Sequence, residues 1–474
     1  MKRAGTAFSI LSVTLAPMLA GCTVGPNYAP PSAASLAMPG QYHYAENGAV
    51  PQSVADLATW WRQFNDPALT SLVDQAVAQN LDIAVAVSRL RQAREGVVQA
   101  RSERLPTVSG SAGAGRNFDF NGDDRGSYNV GADASWEADL FGGISRNIEA
   151  SRADLEGSGY DLASVRVAII SEVAINYIQA RLSQQRLANS RESLRFVDEN
   201  LEIAQWRVQA GLASSLDSEQ ARSQRAQFAA TIPTLESNFA SAANRLAVLT
   251  GQAPGALTAM LEKEQPIPSP PQNVAVGIPA DTLRQRPDVR GAERSLASAT
   301  ARIGVAEARL YPGLRISGNI GTSALTPGGL FDVITAGLFS SLTQTIFDGG
   351  RLRSQVRSQQ AVAEGAFSSY RQTVLSALED VENGLVSLQT AKARHVQFVE
   401  ALDAANNTAI LARSQYRAGL TDFQRLLEAE RSLISARDGL ANSLGDEALS
   451  VVQLYRALGG GWDPLANPQN ESRT

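Results

Sequence analysis

Few residues of this 474-residue chain are of types that could do chemistry. His43 falls in an N-terminal extended arm and His395 on an apolar helical stripe. Both read as packed or hydrogen-bonded structural side chains, and no metal site is expected. The glycines of GSAGAG (110–115) could cradle a phosphate only inside a nucleotide-binding βαβ unit, and none surrounds them. Cys22 is the only cysteine, so no internal disulfide can form, and no cofactor is expected. The other distinctive groups begin and end helices. Gly211 and Gly419 suit left-handed C-caps, and Ser214 and Asp422 suit N-caps. Gly142–Gly143 and Gly349–Gly350 stand where alternating segments give way to long helical ones. With no catalytic constellation, the chain reads as a protein that is not an enzyme, and its function must lie in the elements these groups join.

Cys22 has a chemistry of its own. Lys2 and Arg3 precede AFSILSVTLAPML, an apolar run too short to span a bilayer. The run leads into LAGC (19–22), which resembles the bacterial lipoprotein box. Residues 1–21 are therefore expected to be a signal peptide cleaved before Cys22. Cys22 would carry an S-diacylglycerol and an acylated new amino terminus, several chains that anchor at about 0.8 kcal/mol per buried CH₂. Thr23 and Val24 include no aspartate of the kind that retains bacterial lipoproteins in the inner membrane, which implies outer-membrane sorting. Cleavage removes two cations and no acid, moving the net charge from −5 to −7 and arguing against nucleic acid as a partner. No later apolar run is long enough for a transmembrane helix.

The elements occur twice. NLDIAVAVSRLRQAREGVVQARSERLP (80–106) and RPDVRGAERSLASATARIGVAEARLYP (286–312) match in length and close on Pro106 and Pro312. Alternating segments follow each, about 107–141 and 313–347. The Gly-Gly pairs come next, then long helices at 143–210 and 350–418 that end in QAGL and RAGL, and returning helices at 214–248 and 422–457. This recurrence signals internal duplication. The chain divides into an N-terminal arm (22–65), a first copy (66–250), a Pro-rich linker (251–280), a second copy (281–458) and a tail (459–474).

In 128–140, Tyr128, Val130, Ala132, Ala134, Trp136, Ala138 and Leu140 share one face, opposite Asn129, Asp133, Glu137 and Asp139. Such a strand fits a soluble sheet over a core, or a barrel with lipid outside and water inside. The acidic face, the small residues and lengths near the 9–11 residues that cross a membrane favour the barrel. Four strands cannot close in lipid. Three copies would give twelve strands, whereas two would give eight and a filled interior. The long helices carry a seven-residue stripe, Val173, Ala180, Leu187, Leu194, Leu201 and Val208, and its repeat at Val381, Leu388, His395, Leu402, Ala409 and Tyr416. That is a coiled-coil seam. The returning helices are half as long, so the helices at 68–105 and 281–311 are expected to stack end to end with them, and Pro233 is expected to kink the first.

GCTVGPNYAPP, WWRQFNDPAL (60–69), the duplicated unit, the AGL turns and LGGGW (458–462) together resemble the OprM-type lipoprotein branch of the TolC-like outer-membrane efflux factors. The resemblance implies a mainly α chain with membrane β. It further implies a homotrimer with a twelve-stranded outer-membrane barrel, four strands per chain, continued by an α-helical coiled-coil barrel in the periplasm. Small molecules would pass out from an inner-membrane pump of the RND type through a periplasmic adaptor. An outer-membrane channel for type I protein secretion and a periplasmic scaffold lipoprotein without a pore are the alternatives. By the resemblance, Gly211, Leu212, Ala213, Ser214, Gly419, Leu420 and Thr421 form the adaptor-binding tip. Tyr416, Asp422, Arg425 and Glu428 fall at the periplasmic gate. Arg425 stands where some members have an acid, and Asp422 is displaced by one from another member's ring position. Three Glu428 carboxylates near an axis would repel one another unless Arg425 pairs with them. Pro106, Gly142, Gly143, Pro312, Gly349 and Gly350 become strand–helix junctions.

Overall fold

The computed structural model describes residues 23–32, 34–36, 38–44, 54–118, 125–271, 274, 279–280 and 285–463. In chain order the helices are α1 (Val54–Ala58), α2 (Pro67–Gln79), α3 (Leu81–Ser102), α4 (Gly143–Gln209), α5 (Ser215–Ala229), α6 (Thr231–Leu249), α7 (Thr258–Glu262), α8 (Pro287–Ala308), α9 (Arg351–Arg417) and α10 (Phe423–Ala457). The strands are β1 (Thr107–Asn117), β2 (Arg125–Ala138), β3 (Gly313–Ala324) and β4 (Ile334–Thr343). The described residues within 1–32, 88–159 and 290–373 form one compact unit, and those within 33–87, 160–289 and 374–474 form another.

The first unit holds one antiparallel sheet in the order β1-β2-β3-β4. Directly paired residues share a face, so the register sorts the side chains. Trp136 lies opposite Ile316, Ala132 opposite Ile320, Leu314 opposite Leu342 and Gly318 opposite Leu338. Glu137 lies opposite Arg315, Asp133 opposite Asn319, and Ser109 opposite Asp133. One face is thus apolar, save Arg116 at the far end of β1, and the other carries the remaining charges and the amides, with Phe339 among them. The apolar face is left open by the described residues: Leu338 is 81% exposed and Val108 73%.

The second unit is a helical core. The two apolar stripes are buried at Val173, Ala180, Val381 and Ala409, and half-buried at Leu187, Leu194, Leu201, Val208, His395 and Leu402. Short helices meet at two joints. Asn80, between α2 and α3, accepts from the amides of Asp82 and Ile83 and donates to Leu249 O at 2.9 Å, tying the start of α3 to the end of α6. Arg286, just ahead of α8, donates to Ala457 O at 2.9 Å and pairs with Asp288 and Asp380. The break in the first returning segment falls at Ala230. Pro233 instead occupies the third position of α6, within the first turn, where a missing N–H costs nothing.

WWRQFNDPAL and LGGGW meet in this core. Trp60, fully buried, stacks on Tyr455 at 5.2 Å, and the Gly461 amide donates to Leu57 O. Asp66 caps α2 through the amides of Ala68 and Leu69, and its other oxygen accepts from the Tyr177 hydroxyl at 2.8 Å. Burial pushes the Tyr177 phenol up to about 12; the Asp66 carboxylate adds to the rise and Arg181 opposes it. A raised phenol contributes stability that is intact below the unfolded value of about 10 and lost as pH climbs through the folded one. Thermal stability should therefore fall between about pH 10 and 12 by an increment that is absent in Tyr177→Phe, a difference measurable by circular dichroism.

Candidate functional site

The strand-to-helix junctions are built from the same parts with different geometry. Asp139 accepts from the amides of Ile144 and Ser145, capping α4. Asp348 accepts from those of Leu352 and Gly350, which hold its carboxyl below the usual carboxylate range. At the second junction Gly349 and Gly350 are both left-handed, with φ of 66° and 89°. At the first only Gly142 is, with φ of 77°, and Gly143 already opens the helix. Gly143 is small for a different reason: an added Cβ would sit 3.0 Å from Ala308 of α8. Pro106 and Pro312 each stand one residue before a strand.

Cys22 lies outside the described residues, but its successor has a definite place. Thr23 packs on Gly142, where a Cβ would fall 2.8 Å from Thr23 Cα. The Val24 amide donates to Phe141 O at 3.2 Å. Arg146, 3% exposed, donates to Val24 O, Gly25 O and Asn27 Oδ1. The start of the described chain is therefore clamped to the first junction.

The two helix–helix turns repeat one design. The Gly211 amide donates to Val208 O and the Leu212 amide to Arg207 O, with Gly211 at φ 71°. Gly419, at φ 72°, donates to Tyr416 O, and Leu420 to Gln415 O. These are paired Schellman bonds. Ser214 Oγ accepts from the Leu216 amide, and Asp422 Oδ1 from that of Arg425. Ala213 and Thr421 are half-buried. Leu212 and Leu420 follow the glycines and point outward, 70% and 79% exposed.

Behind the second turn, Tyr416 is buried against Ala204, Ala221, Phe423 and Leu426. The Arg207 guanidinium lies 4.5 Å from its ring centre and donates to its carbonyl. Its hydroxyl has no hydrogen-bond partner among the described residues. Burial raises its phenol, with Asp217 adding and Arg207 opposing. Arg425 and Glu428 are exposed, three residues apart, and neither makes an ion pair among the described residues. The acid that does pair is Glu430. It is 2% exposed and gripped by Arg413 through both oxygens, Nη2 to Oε2 at 2.8 Å, and Arg413 in turn covers the Phe196 ring. In sequence Glu430 carries no distinguishing mark beside Glu428; only its position two residues on, facing the helical core, separates them.

Among the described residues no group of His, Cys, Asp or Glu could hold a metal ion. His395 lies 3.4 Å from Ser443 Oγ, and the His43 amide donates to Glu382. No described helix is long and apolar enough to cross a membrane.

A two-faced sheet with both edges open, joined to paired helices of 67 residues, is the fold of one chain of an outer-membrane channel. The family model for outer membrane efflux proteins matches residues 72–252 and 278–460, one segment on each copy of the repeat. The chain belongs to that family and is a protein of the outer membrane. It is 35% identical over 460 residues to nodulation protein T of Rhizobium leguminosarum bv. trifolii, covering 95% of this chain and 96% of that one. It is 32% identical to the pyoverdine export outer membrane protein OpmQ of Pseudomonas aeruginosa, covering 91% and 93%. The solved structure of the outer-membrane channel OprN superposes with a TM-score of 0.84 at 34% identity, covering 93% of this chain and all of that one.

Proposed function

We propose that three copies of the chain close a twelve-stranded barrel and form the exit duct of a tripartite efflux system. The observation that carries this reading is the sheet: a register that separates apolar from charged side chains, with β1 and β4 both unpaired at its edges. An open edge in lipid costs several kcal/mol per unsatisfied group. Twelve strands leave a water-filled interior lined by Asp133, Glu137, Asn319 and Arg315. Such a duct conducts passively, performs no reaction and needs no cofactor beyond the lipid on Cys22. The substrate class is small molecules, in keeping with the pyoverdine export for which one relative is named. The partners are a periplasmic adaptor, meeting Leu212 and Leu420 at the turns, and an inner-membrane pump of the RND type.

The second turn is the gate in this reading. Three Glu428 carboxylates brought near one axis repel one another, and among the described residues no arginine of the same chain pairs with Glu428. Arg425 of a neighbouring copy would supply the missing charge. Glu428→Gln should raise the open probability of single channels in planar bilayers several-fold while leaving the folding midpoint unchanged. Equal open probability in the variant and the wild type would make Glu428 a solvated helix residue and remove it from the gate.

A further inference from the structure

The acids and the arginines at the strand–helix junctions are used differently. Asp139 and Asp348 spend their oxygens on helix amides, Glu103 accepts from Asn147 at 3.0 Å, and Glu149 pairs with Arg146. Glu307 is half-buried beside Gly25. The arginines around them are exposed: Arg101 and Arg104 before β1, Arg309 before β3, and Arg351 and Arg353 after β4. None of the five makes an ion pair among the described residues, and only Arg104 has a side-chain hydrogen bond, to Ser145 at 2.9 Å. The junction therefore presents exposed guanidinium groups with no ion-paired acid among the described residues, while Asp139, Asp348 and Glu103 hold hydrogen bonds from uncharged N–H groups and Arg351 acts on Asp348 only through its field.

Trp136 fixes the side on which part of this charge lies. It belongs to the apolar face of the sheet, and its indole N–H donates to Arg104 O at 2.9 Å. Arg104 is thus placed just beyond the apolar band, at the level where a bilayer's headgroups begin. Thr23, clamped on Gly142, brings the expected lipid-anchored end of the chain to the same level.

We propose that these arginines form a collar that binds the phosphate groups of anionic phospholipids in the leaflet meeting the junctions. Arginine matches a phosphate by two parallel hydrogen bonds. Each arginine near an anionic surface gains about 1 kcal/mol, roughly fivefold in affinity. The collar fixes the depth of the barrel from the side where the apolar face ends, independently of whether the pore conducts.

Native mass spectrometry of the full-length protein in non-ionic detergent tests this, with phosphatidylglycerol or phosphatidylcholine of identical acyl chains added. The wild type should retain phosphatidylglycerol several-fold better than phosphatidylcholine, and equimolar inorganic phosphate should not displace it. Arg101→Gln/Arg104→Gln and Arg351→Gln/Arg353→Gln should each lower phosphatidylglycerol retention about fivefold or more, leaving phosphatidylcholine and the number of chains unchanged. Equal retention of the two lipids, or variants indistinguishable from the wild type, would overturn the collar. So would a double variant that dissociates into single chains, which would assign the arginines to contacts between copies. The number of chains in the wild-type spectrum separates failure of the collar from failure of the trimer.

Discussion

Replacing Arg413 by alanine should destabilise the hairpin of α9 and α10 by about 3–5 kcal/mol, the range for a buried ion pair stripped of one partner. Glu430 is 2% exposed, and both of its oxygens are held by Arg413. Without the guanidinium, the carboxylate is left buried with its charge unpaired. The lost contact with Phe196 adds to the cost. Amide exchange over Phe423–Leu433 should accelerate by two to three orders of magnitude, because that stretch carries the buried face of α10. The double change Arg413→Met/Glu430→Leu should recover most of the loss, since apolar side chains of similar volume replace a buried pair at little or no cost. A single alanine within about 1 kcal/mol of the wild type would show that Glu430 is solvated in the assembled protein.

Arg181→Ala should release the segment around α7. Arg181 is 1% exposed and donates to Gln184 Oε1 at 2.6 Å, Leu261 O at 3.0 Å and Lys263 O at 2.9 Å, with the Tyr177 ring 5.0 Å away. Hydrogen bonds from a charged donor contribute about 1.5–3 kcal/mol each; without them Leu261 O keeps only the bond from Gln184 Nε2, and Lys263 O loses its arginine donor. Local opening should therefore become easier by at least about 3 kcal/mol, and trypsin cleavage after Lys263 faster by about a hundredfold. Arg181→Lys, a point charge without the guanidinium fork, should fall between the two. An unchanged cleavage rate in the alanine variant would mean that α7 is held by Leu261 packing alone.

The sheet was legible because its period is strict. From Tyr128 to Leu140 every second residue is apolar or small, and the partners found in β3 continue the same sorting. The long helices were legible because one stripe persists over six heptad positions and recurs in the second copy. The capping residues Ser214, Asp422, Gly211 and Gly419 were legible because each satisfies a local backbone requirement. Arg413 and Glu430 are separated by 17 residues and a turn, and Arg181 and Leu261 by 80; each pair is joined only by packing, which leaves no periodic trace. The break at Ala230 was hidden for a different reason. A proline in a first turn and a proline at a kink read identically in sequence, and the choice depends on where the previous helix ends. The unequal use of Gly142–Gly143 and Gly349–Gly350 likewise follows from what docks there, Thr23 and Ala308 at the first junction only. At the proposed gate, the Tyr416 hydroxyl and the Arg425 and Glu428 side chains have no partners among the described residues, because in the proposed duct those partners belong to neighbouring copies.

The most direct test of the duct is the mass of the detergent-solubilised protein, by light scattering with the detergent contribution subtracted. Three chains per particle are the result expected from a four-stranded sheet that is open at both edges and lined on one face by charge. A particle of one chain would leave β1 and β4 unpaired in lipid, and one of two chains would leave no room for a duct. Either would contradict the account.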